Sequence, residues 1–226
     1  MITFEGVEGS GKTTQMARLQ RHLQRTGHRV ERTEEPDGTK LGRAIRRLLE
    51  RPEIAPLTEV FLFMAARQQH VAEKIAPWLR RGAIVLSDRY TDATVAYQGY
   101  GRGIDPAVIR ELNLRATGGV LPDLTLLFDV RPEEGFKRIG RRRLDRFERE
   151  ALAFHRRVRR GYLEILRAEP KRVRLVRAGR DAAAVERDVC GIVDEFLGLR
   201  EPRDGRRAAG EERHEASLRG TPRVRA

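Results

Sequence analysis

Gly6-Val7-Glu8-Gly9-Ser10-Gly11-Lys12-Thr13 fits the pattern G-x-x-x-x-G-K-[ST] at every fixed position. Each residue type answers a need of a bound polyphosphate. Glycines let consecutive backbone amides curl round phosphate oxygens, and a helix starting at the lysine adds the positive end of its dipole. Lys12 would neutralise the β and γ phosphates of a nucleotide, and the Thr13 hydroxyl would ligate Mg2+. The candidate nucleotide-binding residues are therefore Gly6, Val7, Glu8, Gly9, Ser10, Gly11, Lys12, Thr13 and Thr14. The motif by itself does not separate a kinase from a GTPase switch or a motor.

What receives the phosphoryl group is a question for other residues. Asp88 and Arg89 close the apolar run "AIVLSDRY", and parallel sheets bind ligands at the C-terminal ends of their strands. Asp88 could join the Mg2+ shell with Thr13, and Arg89 could grip a second phosphate; a mutual Asp88–Arg89 pair is the structural alternative. Arg67 shares a helix stripe with Met64 and Val71, with Phe63 one turn before it. A cation on an apolar face needs a partner. A buried carboxylate would serve, and so would a nucleobase oxygen with the ring stacked on Phe63.

The elements that must hold these groups follow from the apolar spacing. "MITFEG" is a β-prone run before the glycine loop, and Met16, Leu19 and Leu23 give a helix that Gly27 stops. "HRVERTE" predicts a strand, and 41–51 a helix. Pro56 opens a long helix to about Arg81 with Val60, Met64, Val71, Ile75 and Leu79 on one stripe. Asp105-Pro106 starts a helix to about Thr117, "DLTLLFDV" is a buried strand, and Pro132 starts another helix. Phe147, Ala151, Phe154, Val158, Tyr162 and Ile165 mark one further helix. "RVRLVRA" is the last strand, and Asp181 caps a helix ending near Leu199. This alternation predicts an α/β fold with a parallel sheet covered on both faces.

Composition bounds the partners. The 226 residues can bury one sizeable core. A net charge of +13 favours anionic ligands. The arginines lack the aromatic interleaving of a single-strand-binding surface, so nucleic acid is not the expected partner. Apolar stretches far short of a membrane span and no basic leader predict a soluble, cytoplasmic protein. Cys190, the single cysteine, is expected to be buried and reduced. Residues 1–200 are expected to form the domain, and 201–226, polar and without period, a disordered basic tail.

The stretches "FEGVEGSGKTTQ", "EEPDGT", "FMAARQQH", "DRYTDATVAYQGYGRGID", "PDLTLLFDV" and "RRRLDRFE" occur in the order and spacing of thymidylate kinases, which phosphorylate dTMP to dTDP. This resemblance, over about residues 1–199, implies a P-loop nucleoside monophosphate kinase fold with a five-stranded parallel sheet. It also implies ATP with Mg2+ and a homodimer packed through helices. Carried over by position, Phe63 would stack on thymine and Arg67 would donate to its exocyclic oxygen. Thr94 and Gln98 would line the base, Tyr97 would crowd the 2′ position, and Glu8 would meet the 3′-hydroxyl. Arg46 and Arg89 would hold the acceptor phosphate. Arg141, Arg142 and Arg143 fall where the family has an Arg-rich lid, which supplies catalytic arginine when the loop carries an acidic residue such as Glu8. Two positions depart from the family: Glu34 stands where arginine is common, and Ala93 where serine is.

Three rival readings fit parts of the pattern. A deoxynucleoside kinase would use Glu35 as the base for a hydroxyl acceptor. A nucleic-acid-stimulated ATPase would exploit the positive charge. The third is a nucleotide-dependent binding switch with negligible turnover.

Overall fold

The computed structural model describes residues 1–140 and 145–199. The expected arginine triplet Arg141, Arg142 and Arg143 and the tail from residue 201 lie outside them.

Five parallel strands form the sheet: β1 (Ile2–Glu5), β2 (Val30–Glu34), β3 (Ile84–Asp88), β4 (Leu124–Asp129) and β5 (Val173–Arg177), in the order β2-β3-β1-β4-β5. Strand β1 sits between β3 and β4, with Phe4 opposite Asp88 on one side and Leu126 on the other. All four of its residues are buried. Its two polar members survive there by pairing: the Thr3 hydroxyl shares a hydrogen bond of 2.8 Å with Thr125, and Glu5 is bonded beneath the site described below. The chain winds outward from β1 in both directions, so a crevice opens past the C-terminal ends of β1 and β3.

Helix α1 (Lys12–Arg25) follows the glycine loop as the motif requires. Thr39 caps α2 (Lys40–Leu49), its hydroxyl accepting from Gly42 N at 2.9 Å. Pro56 opens α3 (Pro56–His70). The expected single helix to Arg81 is instead interrupted. A π-helical stretch, Val71–Ile75, separates α3 from α4 (Ala76–Arg80), and Ala76 N bonds to Val71 O, five residues back. Pro77 accounts for this, because it cannot donate to residue 73 and its ring would crowd that carbonyl. A second helical run was not expected: α5 (Thr91–Thr94) and the π-helical stretch Val95–Gly101 carry the "TDATVAYQGYG" segment.

Next come α6 (Pro106–Thr117), α7 (Pro132–Ile139), α8 (Leu152–Ala168) and α9 (Ala182–Phe196). Phe147 and Ala151 are not in α8, as their spacing suggested. Asp145 and Glu148 close a turn of their own: Glu148 N donates to Asp145 Oδ1 at 2.8 Å and Asp145 N to Glu148 Oε2 at 2.9 Å. This reciprocal capping separates Phe147, buried beside the crevice, from the helix. Cys190 is half-buried against the core where full burial was expected. Among the described residues no helix is long and apolar enough to cross a membrane.

Candidate active site

The loop between β1 and α1 closes on itself. Lys12 Nζ donates to Gly6 O at 2.9 Å, Val7 O at 3.1 Å and Ser10 Oγ at 3.4 Å. Burial, and then the nearby Arg89 cation, push the Lys12 ammonium below its ordinary range. Gly9 and Gly135 of α7 meet face to face. Gly9 has φ +70°, and a Cβ there would lie 2.1 Å from Gly135 O. One on Gly135 would lie 2.2 Å from Glu8 O.

Thr13 Oγ1 donates to Asp88 Oδ2 at 2.8 Å, which brings the two expected Mg2+ ligands together at the strand end. These hard oxygen donors suit Mg2+. Glu34, at the position of a family arginine, lines the same cleft with Asp37. Partial burial, then Asp37 and Asp88, raise its carboxyl above the ordinary range. The phosphate cleft is lined by residues 8–14 of the loop together with Asp88, Arg89 and Arg46. Gly6 and Val7 sit at its root, their carbonyls turned to Lys12.

Arg89 does not pair with Asp88. Its Nη2 bonds Glu8 Oε1, and its guanidinium lies 4.8 Å from the centre of the Tyr97 ring. Tyr97 OH is 2.7 Å from both Glu8 oxygens. Burial would raise the Glu8 carboxyl, but Arg89, Lys12 and the Tyr97 hydroxyl overcome that and hold it at about 2. Arg89 has φ +66°, the one positive φ outside glycine among the described residues. For arginine that conformation costs about 1–2 kcal/mol.

Beyond Arg89 lies a second pocket. Glu8, Arg46, Phe63, Arg67, Arg89, Thr94, Tyr97 and Gln98 all line it. These are the eight residues expected to bind the acceptor nucleotide. Arg67, only 1% exposed, has its carboxylate: Nε and Nη2 donate to Glu35 Oε2 at 2.8 and 2.6 Å. It also donates to Asn113 Oδ1 through Nη1, and to Thr94 Oγ1 and Tyr90 O at 3.0 Å each. The second Glu35 oxygen faces His70 Nδ1 at 3.3 Å. Gln98 is held by Glu59 at 2.7 Å, and Arg46 by Asp145 at 2.7 Å. Phe63 meets Phe147 at 6.0 Å between ring centres.

Sequence reasoning missed Phe147, Asp145, Tyr90 and Pro36 as cavity-lining residues, and Asn113 and Glu59 as their supports. The adjacency "EEPDG" could have pointed to Pro36. Asn113 and Glu59 leave no local signal, since their partners are distant in the chain.

A parallel α/β sheet with a phosphate loop after its central strand and a second pocket beside it defines a nucleoside monophosphate kinase type of phosphotransferase. The thymidylate kinase family model matches residues 4–189. A thymidylate kinase of Nitratidesulfovibrio vulgaris is 50% identical over 207 residues, covering 87% of this chain and 96% of that protein. One from Gloeobacter violaceus is 47% identical, covering 87% and 95%. The crystal structure of thymidylate kinase from Ehrlichia chaffeensis superposes with a TM-score of 0.70 at 35% identity, over 85% of this chain and 97% of that one. The chain belongs to the thymidylate kinase family.

Proposed function

We infer that this chain phosphorylates dTMP to dTDP, taking the phosphoryl group from ATP in the presence of Mg2+. The observation carrying this reading is that the eight residues expected to bind the acceptor line one pocket that adjoins the phosphate loop through Glu8, Arg46 and Arg89. The acceptor is a phosphate monoester whose second proton leaves near pH ~6, so its attacking oxygen is anionic at neutral pH. No general base is needed. Glu35, the base a nucleoside kinase would require, is buried between Arg67 and His70.

The chemical difficulty is holding two polyanions together. Lys12 would leave the loop carbonyls for the donor phosphates. Arg89 would exchange part of its contact with Glu8 for the acceptor phosphate, joined by Arg46. Thr13 and Asp88 would hold Mg2+, which when bound offsets charge on the phosphate oxygens. Arg141, Arg142 and Arg143 would complete the positive field over the migrating group, as the family resemblance implies. Tyr97, bonded to Glu8, would exclude a 2′-hydroxyl. Exposed Leu57 and Phe61 of α3, with Leu41 and Leu48 of α2 packed against it, offer a face for a second copy, the homodimer of our reading. The nucleotide substrates fit a cytoplasmic setting.

An ADP-release assay across dTMP, dUMP, dCMP, dGMP and thymidine tests the reading. The highest kcat/KM is expected with dTMP and negligible turnover with thymidine. Preference for thymidine or for a purine monophosphate would overturn it. Arg89→Ala should lower turnover with dTMP about a thousandfold while ATP binding stays near parental.

A further inference from the structure

The left-handed turn at Arg89 is held from below by groups that line neither part of the cleft. Its own N–H donates to Phe4 O at 3.0 Å, which fixes the peptide before it to β1. The peptide after it is gripped at both ends. Ser87 Oγ donates to Arg89 O at 2.8 Å, and Tyr90 N donates to Glu5 Oε1 at 2.7 Å. Tyr162 OH donates to the other Glu5 oxygen at 2.8 Å. Glu5 and Ser87 are fully buried. With both flanking peptide planes fixed, the torsion between them cannot relax to the ordinary region, where an arginine side chain would leave in another direction.

We propose that Glu5 and Ser87 are positioning residues for phosphoryl transfer, clamping the Arg89–Tyr90 peptide so that the Arg89 guanidinium points at the acceptor phosphate. This rests on the reading of Arg89 given above. Two features of the clamp fit the role. It acts on the main chain, so it works whatever the guanidinium is bonded to, Glu8 or phosphate. It also shares Tyr90 with the nucleoside cavity, because Arg67 Nη2 holds the next carbonyl. The phosphate-binding arginine and the base-binding arginine are thus attached to adjacent peptides, which fixes their separation.

Steady-state kinetics of the full chain with ATP and dTMP test the clamp in Ser87→Ala, Glu5→Ala and Glu5→Gln, each also combined with Arg89→Ala. Losing one buried hydrogen bond, Ser87→Ala should lower kcat/KM for dTMP about tenfold and leave KM for ATP within about twofold. Glu5→Ala should lose more. Glu5→Gln keeps an acceptor for Tyr90 N and a donor for the Tyr162 oxygen, so it should return to within about threefold of the parent. In the Arg89→Ala background Ser87→Ala should add less than about twofold, because its effect runs through the missing side chain. Parental kcat/KM in Ser87→Ala, alongside a crippled Arg89→Ala, would overturn the clamp and leave Arg89 in place. An equal loss in both backgrounds would reduce Ser87 to fold support. Full activity in Arg89→Ala would remove the underlying reading and the clamp with it. Ser87→Ala removes a single oxygen, so the test stands even where Glu5→Ala does not fold.

Discussion

The nucleoside cavity and the phosphate loop each contain a buried cation, and the two are held in opposite ways. Arg67 is bonded to Glu35, Asn113, Thr94 and the Tyr90 carbonyl, groups drawn from separate elements of the core. Lys12 is bonded to carbonyls of its own loop. On the reading above, donor phosphates would draw Lys12 off Gly6 and Val7, whereas Arg67 is already engaged by protein partners on every side. Folding alone therefore fixes the Arg67 side of the pocket, while the Lys12 side would be completed only by a bound anion. The same division separates two carboxylates three residues apart. Glu8, facing the cleft, is surrounded by cations. Glu5 lies beneath it, where burial, then Asp92, pushes its carboxyl up to about 7.

Mutations should break this contrast in order of size. Lys12→Ala should reduce kcat about a thousandfold or more, with Tm within about 4 °C of the parent, since no core partner is stranded. A large drop in Tm would mean the loop lysine is structural after all. Arg67→Met should do the reverse in kind. It strands the buried Glu35 carboxylate and should cost about 3–5 kcal/mol in urea unfolding, with Glu35→Gln on the same background recovering part of it.

The two carboxylates make a finer distinction through pH. Glu8 has a folded pKa of about 2 against an ordinary 4.5, so its contribution to stability is present above pH 4.5 and is lost as pH falls towards 2. Glu5 has a folded pKa of about 7 against 4.5, so its contribution is present below 4.5 and is lost as pH rises to 7. Glu5→Gln should therefore remove a decline in unfolding free energy between those two pH values. An unchanged slope would show that Glu5 does not titrate there. The smallest effect is expected at Ala93, which lines the nucleoside cavity. Restoring the family serine, Ala93→Ser, should lower KM for dTMP about two- to threefold by adding one hydrogen-bonding group.

The phosphate loop was legible because its chemistry is local: residues 6–13 are contiguous, and strand and helix signals flank them. The sheet was legible because buried parallel strands read as short apolar runs, as in "AIVL" and "DLTLLF". Helical spacing linked Phe63 to Arg67 and the strand end marked Arg89, but grouping them with Tyr97 as one acceptor site rested on resemblance to a family, since the four come from three different elements. Apolar periodicity misled at Phe147, which follows the rhythm of α8 yet belongs to a self-capped turn. It also ran on through Pro77, where backbone chemistry imposes a wider turn. The segment 91–101 has no marked helical period because nearly all of it is buried, so no polar face is available to reveal one.

The bare contact between Gly9 and Gly135 leaves no room for a side chain on either surface. Helix α7 is consequently seated on the main chain of the nucleotide loop itself, and the chain leaves that helix one residue before the arginine triplet begins. A movement of residues 8 and 9 would therefore press directly on the main chain of α7, with no rotatable side chain between them.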